Sequence, residues 1–225
     1  MPATSPLEVV VFDVNETLSD MSPMAHRFVE VGAEPGLAQT WFASLLRDGF
    51  ALTAAGATER FAALARECLV ALLAEVYLDR DVDDAVEHIL AGFSSLHVHS
   101  DVPGGVVALA DSGLRLVTLT NGASAVAEGL LKRAGVRDSF EALLSVEDAG
   151  VWKPSAGAYD YAARQCDTDL AAMLLVAVHP WDIDGAARAG MQTAWVNRSR
   201  RRYPATFTPP DLTVGGIDDL AAQLP

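Results

Sequence analysis

The feature that most constrains the fold is a set of five short runs rich in Val and Leu, at residues 9–12, 115–120, 141–145, 173–178 and 193–196. Runs of this length without polar alternation are typical of strands that are buried on both faces of a parallel sheet. Helix-like segments follow the second, third and fourth runs, at residues 124–136, 155–166 and 182–191. Strand followed by helix, repeated, predicts an α/β fold with a doubly wound, mostly parallel, Rossmann-like sheet.

Residues 20–97 differ from the rest of the chain, because helix-like patterning runs through them without a buried-strand segment. We therefore expect a helical domain inserted after the first strand, with the α/β core formed by residues 1–19 and 98–225. The segment HSDVPGG, residues 99–105, is interpreted as the linker that returns the chain to the core. Because the insertion leaves the sheet just past Asp13, the inserted domain should cover the carboxyl ends of the strands, where open α/β sheets bind their ligands.

Polar residues follow four of the apolar runs. In chain order they are Asp13, Thr120 with Asn121, Lys153, and His179 with Asp182. Because the carboxyl ends of parallel strands meet at one edge of a sheet, we expect these side chains to converge. Any one cluster could be a turn or a helix cap. An Asp, a Thr-Asn pair, a Lys and an Asp in this order instead predict a catalytic site.

These motifs resemble those of the haloacid dehalogenase superfamily over essentially the whole chain. That family has an Asp nucleophile four residues before a Thr, a Ser or Thr ending the second strand, a Lys before a Pro, and an acidic motif after the fourth strand. The matching residues here are Asp13 with Thr17, Thr120, Lys153 with Pro154, and Asp182. The segments LTNG, KPSAGAY and HPWDIDGA are similar to the type II, or L-2-haloacid, dehalogenases. The resemblance implies that residues 20–97 form a cap domain.

The resemblance also implies an enzyme that forms an ester on Asp13. This carboxylate would displace a leaving group from the carbon next to a substrate carboxylate, and water would then cleave the ester. Lys153 would keep Asp13 ionised, since a cation within about 4–6 Å lowers a carboxyl pKa by roughly 1–3 units. Asp182 would pair with Lys153 and help to position the water, with His179 as the base beside it.

Residues expected to bind the substrate are Thr17, Asn15, Thr120, Asn121 and Trp41. The two threonines would donate hydrogen bonds to Asp13 or to the substrate carboxylate, and the Asn121 amide would face the leaving group. Asn15 stands where phosphatases of this family have an acid that protonates the leaving oxygen. An amide cannot do so, but a halide leaves without a proton, so an amide is tolerable in a dehalogenase.

Three functions are left open. The first is a metal-independent hydrolase acting at carbon, most simply an (S)-2-haloacid dehalogenase without a cofactor, or a variant that expels another leaving group. The second is a Mg²⁺-dependent phosphatase of small phosphorylated metabolites, in which Asp13 and Asp182 would hold the metal. Val178 stands where such phosphatases have a further Asp, which disfavours this alternative. The third is a non-catalytic ligand-binding protein on the same fold.

Two departures from the type II dehalogenases concern the halide and the water. Those enzymes have an Arg shortly before the position of Trp41 to receive the departing halide, whereas the ten residues VGAEPGLAQT before Trp41 contain none. Either Arg47, after this Trp, replaces it from a different direction, or the halide-binding role is absent. The dehalogenases also have Ser and Asn at the positions of Ala177 and His179. We therefore expect either that water activation depends on His179 or that the reaction differs.

Charge and hydropathy argue against a nucleic acid or a membrane as the partner. A formal net charge of −14 would repel a nucleic acid, and no apolar run reaches the roughly eighteen residues that cross a bilayer.

The segment NRSRRRYP is interpreted as a solvated loop or as a rim that attracts an anionic substrate, expected to be a short 2-substituted carboxylic acid. The start of the chain lacks a secretory signal and two cysteines make no disulfide framework, so a cytoplasmic enzyme is expected. An apolar face on the cap leaves a homodimer open.

Overall fold

The computed structural model describes residues 6–224, and residues 1–5 and 225 of the predicted core domain lie outside that range. The strands are β1 (Val9–Phe12), β2 (Arg115–Thr120), β3 (Ala142–Ser145), β4 (Met173–Ala177), β5 (Gln192–Val196) and β6 (Leu212–Val214). They form one parallel sheet in the order β3-β2-β1-β4-β5-β6. The predicted α/β fold with a parallel sheet is confirmed. The strand order reverses beside β1, which is where such sheets open a crevice for ligands.

Helices cover both faces of the sheet and the chain between β1 and β2. In the described part of the chain they are α1 (Met24–Val29), α2 (Leu37–Ala54), α3 (Phe61–Leu73), α4 (Val82–Ser94), α5 (Val102–Asp111), α6 (Ser124–Arg133), α7 (Val146–Ala149), α8 (Ala156–Cys166), α9 (Pro180–Ala189) and α10 (Ile217–Gln223). Side chains alternate along β1, so Val10 and Phe12 pack with α5, α6 and α10, while Val9 and Val11 pack with α8 and α9. The core is therefore three-layered.

Two elements differ from the sequence interpretation. The segment 99–105 is only partly a linker, because α5 begins at Val102, with a proline in its first turn where the missing N–H costs nothing. The strand β6 is not predicted by the apolar pattern. It has three residues at the edge of the sheet, and only Val214 among them is buried, so it carries too weak a signal.

The helices α1 to α4 form the region between β1 and the core helix α5. Ser19 and Val98, at the two ends of this region, form an isolated antiparallel bridge, which brings the outgoing and returning chains together. We propose that residues 20–97 are a cap domain; its boundaries stay a prediction. Among the described residues, no helix is both long enough and apolar enough to cross a membrane.

The inserted helices rest on the core through Trp152. A Cβ atom added to Gly49 in α2 would lie 2.4 Å from the Trp152 ring, so a larger residue could not occupy that position without displacing the indole. The indole N–H donates to the carbonyl of Glu59 at 3.0 Å, and its ring stacks on Phe61 in α3. The residue that follows Trp152 is the predicted catalytic Lys153.

Candidate active site

The carboxyl ends of β1, β2 and β4 bring the predicted polar residues to one edge of the sheet. Asp13 directly follows β1, and its N–H donates to the carbonyl of Val176 in β4 at 3.0 Å. His179 and Asp182 lie at the start of α9, which follows β4. Lys153 lies between α7 and α8. The catalytic roles of these residues are proposals.

Lys153 joins two carboxylates. Its Nζ donates to Asp13 Oδ1 at 2.9 Å and to Asp182 Oδ2 at 2.6 Å, and its side chain is fully buried. Burial would lower the pKa of Lys153, but the two carboxylates outweigh it and raise the pKa. Burial would likewise raise the pKa of Asp13, yet Lys153, together with His179 and Thr17, holds it below its ordinary range. Asp13 is therefore an anion at neutral pH, as a nucleophile must be.

Tyr159 is a site residue that the sequence reasoning missed. Its hydroxyl donates to Asp182 Oδ1 at 2.7 Å, and it is fully buried. Burial first, and then the neighbouring Asp182, raise the pKa of Tyr159 well above its ordinary value, so the phenol keeps its proton. Burial also raises the pKa of Asp182, which the Lys153 ammonium opposes. The only sequence signal is the position of this Tyr in KPSAGAY, six residues after the Lys.

The second oxygen of Asp13 has a different set of partners. The Thr17 hydroxyl donates to Asp13 Oδ2 at 2.6 Å and accepts the N–H of Val178 at 3.1 Å. His179 Nδ1 lies 3.2 Å from the same Oδ2, and its Nε2 lies 2.8 Å from Glu16 Oε2. Glu16 is the second site residue that the sequence reasoning missed. Thr17 is occupied with Asp13 itself, as one of its two expected roles requires.

His179 lies between two carboxylates, and its predicted role as the base stays a prediction. Burial would lower the pKa of His179, but hydrogen bonds to the Asp13 and Glu16 carboxylates raise it to about 9. The ring is therefore an imidazolium at neutral pH, with both nitrogens donating. It can act as a base only after one carboxylate has lost its charge.

The Asn121 side chain contacts the backbone of Lys153, and its predicted role facing the leaving group stays a prediction. Its amide accepts the N–H of Lys153 at 3.0 Å and donates to the carbonyl of Lys153 at 3.3 Å, so it fixes the backbone that carries the ammonium. The Thr120 hydroxyl accepts the N–H of Gly122 at 3.0 Å. Thr120 and Asn15 both border a small cavity of about 110 Å³ at the carboxyl end of β2.

Trp41 is placed in the core of the inserted helices and not in a substrate pocket, which corrects its predicted role. It is fully buried, its indole N–H donates to the carbonyl of Ala65 at 3.0 Å, and its ring packs against Phe28 and Phe93. Arg47 is exposed and its guanidinium is paired with Asp48. It is therefore not the replacement for the missing halide-binding Arg in this structure.

A cavity of about 710 Å³ lies between the inserted helices and the arginine-rich loop. Glu16 and Arg201 border it from the core side, and apolar residues of α1 and α2, including Phe42 and Leu46, border it from the other side. Arg198 serves a different purpose, since its guanidinium donates to Asp101 at 2.6 Å and to the carbonyl of Thr17 at 2.8 Å. The loop is thus joined by hydrogen bonds to the segment after Asp13 and is more than a solvated turn.

The chain is similar to known dehalogenases over nearly its whole length. The chain is 27% identical to (S)-2-haloacid dehalogenase 2 of Pseudomonas sp. (strain CBS-3), over 94% of this chain and 93% of that protein. It is 36% identical to the pyrimidine 5'-nucleotidase YjjG of Escherichia coli (strain K12), over only 47% of this chain and 48% of that protein.

A solved structure shares the whole fold. The L-2-haloacid dehalogenase of Xanthobacter autotrophicus with chloropropionic acid covalently bound superposes with a TM-score of 0.86 at 24% identity, covering 96% of this chain and 97% of that one. Residues 7–190 match the family described as haloacid dehalogenase-like hydrolase. This match spans most of the sequence and confirms the predicted resemblance. The chain belongs to the haloacid dehalogenase-like hydrolases.

Proposed function

We propose that this hydrolase converts a short (S)-2-haloacid and water into the 2-hydroxyacid and halide, through an ester on Asp13 and without a metal. The observation that carries the proposal is the buried Lys153 ammonium, bonded to both Asp13 and Asp182. The ammonium keeps the Asp13 carboxylate charged and fixes its orientation. The relatives named as 2-haloacid dehalogenases, matched over nearly the whole chain, support the same reaction.

The side chains around Asp13 suit attack at carbon. The carboxylate displaces the halide from the carbon next to the substrate carboxylate, with Lys153 and Thr17 fixing its orientation. Halide is the anion of a strong acid and departs without a proton. The amide of Asn15, which has no proton to give at neutral pH, is therefore compatible with this step.

The residues at the site do not fit the Mg²⁺ ion that the phosphatase alternative requires. Magnesium needs oxygen ligands in near-octahedral geometry. Asp13 Oδ1 and Asp182 Oδ2, the predicted ligands, both aim at the Lys153 ammonium, which already supplies the positive charge between them. Val178 offers no ligand, and residues 6–224 contain no cluster of three or more metal-binding side chains. The partial match to the nucleotidase makes this alternative worth an arm of the experiment.

The 710 Å³ cavity supports an anionic substrate with an apolar body. Arg201 provides a positive charge at its border, and the apolar side chains of α1 and α2 provide a surface for the carbon chain of the acid. We propose that the substrate reaches Asp13 from this cavity. The cytoplasmic location and the homodimer remain predictions from the composition and the cap surface.

The deciding experiment is a single turnover in ¹⁸O-labelled water with (S)-2-chloropropionate, with and without EDTA. We expect chloride release that EDTA does not change, and label in the Asp13 carboxyl group, because water attacks the carbonyl carbon of the ester. The control variant Asp13→Asn should release no chloride, whereas Asn15→Ala should lower the rate only moderately. Unlabelled Asp13 in an active enzyme would remove the ester route. Phosphate release from phosphorylated metabolites that needs Mg²⁺ would favour the phosphatase.

A further inference from the structure

His179 is held from two directions by carboxylates. Its Nδ1 lies 3.2 Å from Asp13 Oδ2, and its Nε2 lies 2.8 Å from Glu16 Oε2. The ring also stacks on Trp181, with centroids 4.9 Å apart and planes 29° apart. The plane of the imidazole and the directions of both its nitrogens are therefore fixed, and Glu16 reaches Asp13 through the ring.

The backbone at Glu16 is strained in a way that serves this contact. Its φ of 63° lies in the left-handed region, which a residue with a side chain seldom adopts. Two contacts hold it there: its N–H donates to Ser19 Oγ at 3.2 Å, and His99 Nε2 lies 3.1 Å from its carbonyl oxygen. Strain of this kind clusters at functional sites. Here it accompanies a carboxylate that binds His179 at the border of the substrate cavity.

We propose that Glu16 is a positioning residue for the second half of the reaction, in which it holds His179 as the base that activates water against the Asp13 ester. The inference rests on the proposed function, since it requires that ester. A hydrogen bond from Nε2 to the Glu16 carboxylate leaves Nδ1 as the nitrogen that faces the Asp13 carboxyl group. Within hydrogen-bond distance, Asp13 and Glu16 are the charged groups that face the ring.

Ester formation prepares His179 for this role. The substrate carbon bonds to an oxygen of Asp13, and the carbon–halogen bond breaks with its electron pair on the halide. Asp13 is then neutral, so the imidazolium keeps only Glu16 as an anionic partner and releases its Nδ1 proton to solvent. The Nδ1 lone pair then faces the ester carbonyl, where water must attack.

The same nitrogen carries the proton through hydrolysis. Water adds to the Asp13 carbonyl carbon while Nδ1 takes a proton from it. The tetrahedral adduct collapses by breaking the bond between that carbon and the substrate oxygen, and the imidazolium returns the proton to the departing alkoxide. The Asp13 carboxylic acid then protonates Nδ1, which restores the resting pair. One turnover consumes water and yields the hydroxyacid, halide and one proton.

The test separates the two halves of the reaction in the full-length enzyme. Rapid quenching with (S)-2-chloropropionate measures chloride, and mass spectrometry of the Asp13 peptide measures the ester. For Glu16→Gln we expect a burst of about one chloride per enzyme at the wild-type rate, an accumulated ester, and steady turnover lowered about 10- to 100-fold. In Glu16→Gly the left-handed backbone is unstrained, and we expect the same defect in a well-folded protein.

Two comparisons make the outcome decisive. Glu67→Gln, which removes the same charge from an exposed position on α3, should leave both phases unchanged. A Glu16→Gln/His179→Asn double variant should be no slower than His179→Asn alone, because Glu16 acts through the ring. Equal slowing of chloride burst and turnover in Glu16→Gln, or no slowing of either, would overturn the inference while the proposed function stands. A wild-type enzyme that releases no chloride would overturn both.

Discussion

The two oxygens of the Asp13 carboxylate lie in different surroundings. Oδ1 receives the ammonium of Lys153, and Lys153 and its second partner Asp182 are both fully buried. Oδ2 is contacted by Nδ1 of His179, and Nε2 of the same ring contacts Glu16, whose side chain is 41% exposed. The difference indicates a division of tasks. We propose that the buried side fixes the charge and orientation of Asp13, and that water and protons exchange on the accessible side.

The largest effect is expected from Lys153→Met, which removes the buried ammonium that contacts Asp13 Oδ1. It removes the cation between two buried carboxylates and leaves Asp182 without one, so the free energy of unfolding should fall by about 3–5 kcal/mol. The rate of chloride release should fall at least about 100-fold. Urea unfolding at pH 7 and a chloride assay measure the two effects. The control Lys132→Met breaks an exposed pair with Glu128 and should cost less than about 1 kcal/mol. Near-wild-type activity in Lys153→Met would contradict the proposal that the buried side of Asp13 fixes its charge and orientation.

An intermediate effect is expected from pH on the accessible side. The pKa of His179 is raised to about 9 in the folded protein, so its charged form stabilises the fold below its ordinary pKa of about 6.5. This contribution should be lost as the pH rises through about 9, with a total of about 3 kcal/mol, since one pKa unit corresponds to about 1.4 kcal/mol. The measurement is the difference in unfolding free energy between wild type and His179→Asn from pH 6 to pH 10. A difference that does not shrink with rising pH would contradict the geometry, and His97→Asn, at an exposed position, is the matched control.

The smallest effect on catalysis is expected from Trp41→Phe, which lies outside both sides of the comparison. The variant loses the hydrogen bond to the carbonyl of Ala65 and leaves part of the indole volume empty. Unfolding free energy should fall by about 1–2 kcal/mol, while the rate of chloride release changes less than about twofold. A large rise in KM with unchanged stability would instead restore Trp41 as a substrate contact.

The convergence of Asp13, Lys153 and Asp182 could be predicted from the sequence, because it depends on local signals. Buried strands of a parallel sheet are recognisable by their apolar runs, and their carboxyl ends must meet at one edge. The strand ends predict only that these side chains converge. The pairing of Lys153 with both carboxylates is implied by the resemblance to the dehalogenases, since Lys153 lies after α7 and not at a strand end.

The other contacts could not be predicted, because they depend on tertiary packing. Tyr159 reaches Asp182 only because α8 packs beside α9, and the direction of the Glu16 carboxylate follows from one left-handed backbone angle. The prediction for Trp41 was wrong for a related reason, since an aromatic residue on an amphipathic helix suits a core and a pocket equally well. The rotation of α2, set by Gly49 against Trp152, decides between them.

The seating of Trp152 against Gly49 links mechanics to chemistry. Trp152 is the peptide neighbour of Lys153, so a swing of α2 and α3 away from the sheet would pull on the very segment that carries the ammonium. A hinge that opened widely in every catalytic cycle would then pull the Lys153 ammonium away from Asp13 each time. We therefore expect the substrate to enter through local rearrangement of side chains at the cavity mouth, while α2 and α3 stay packed against Trp152.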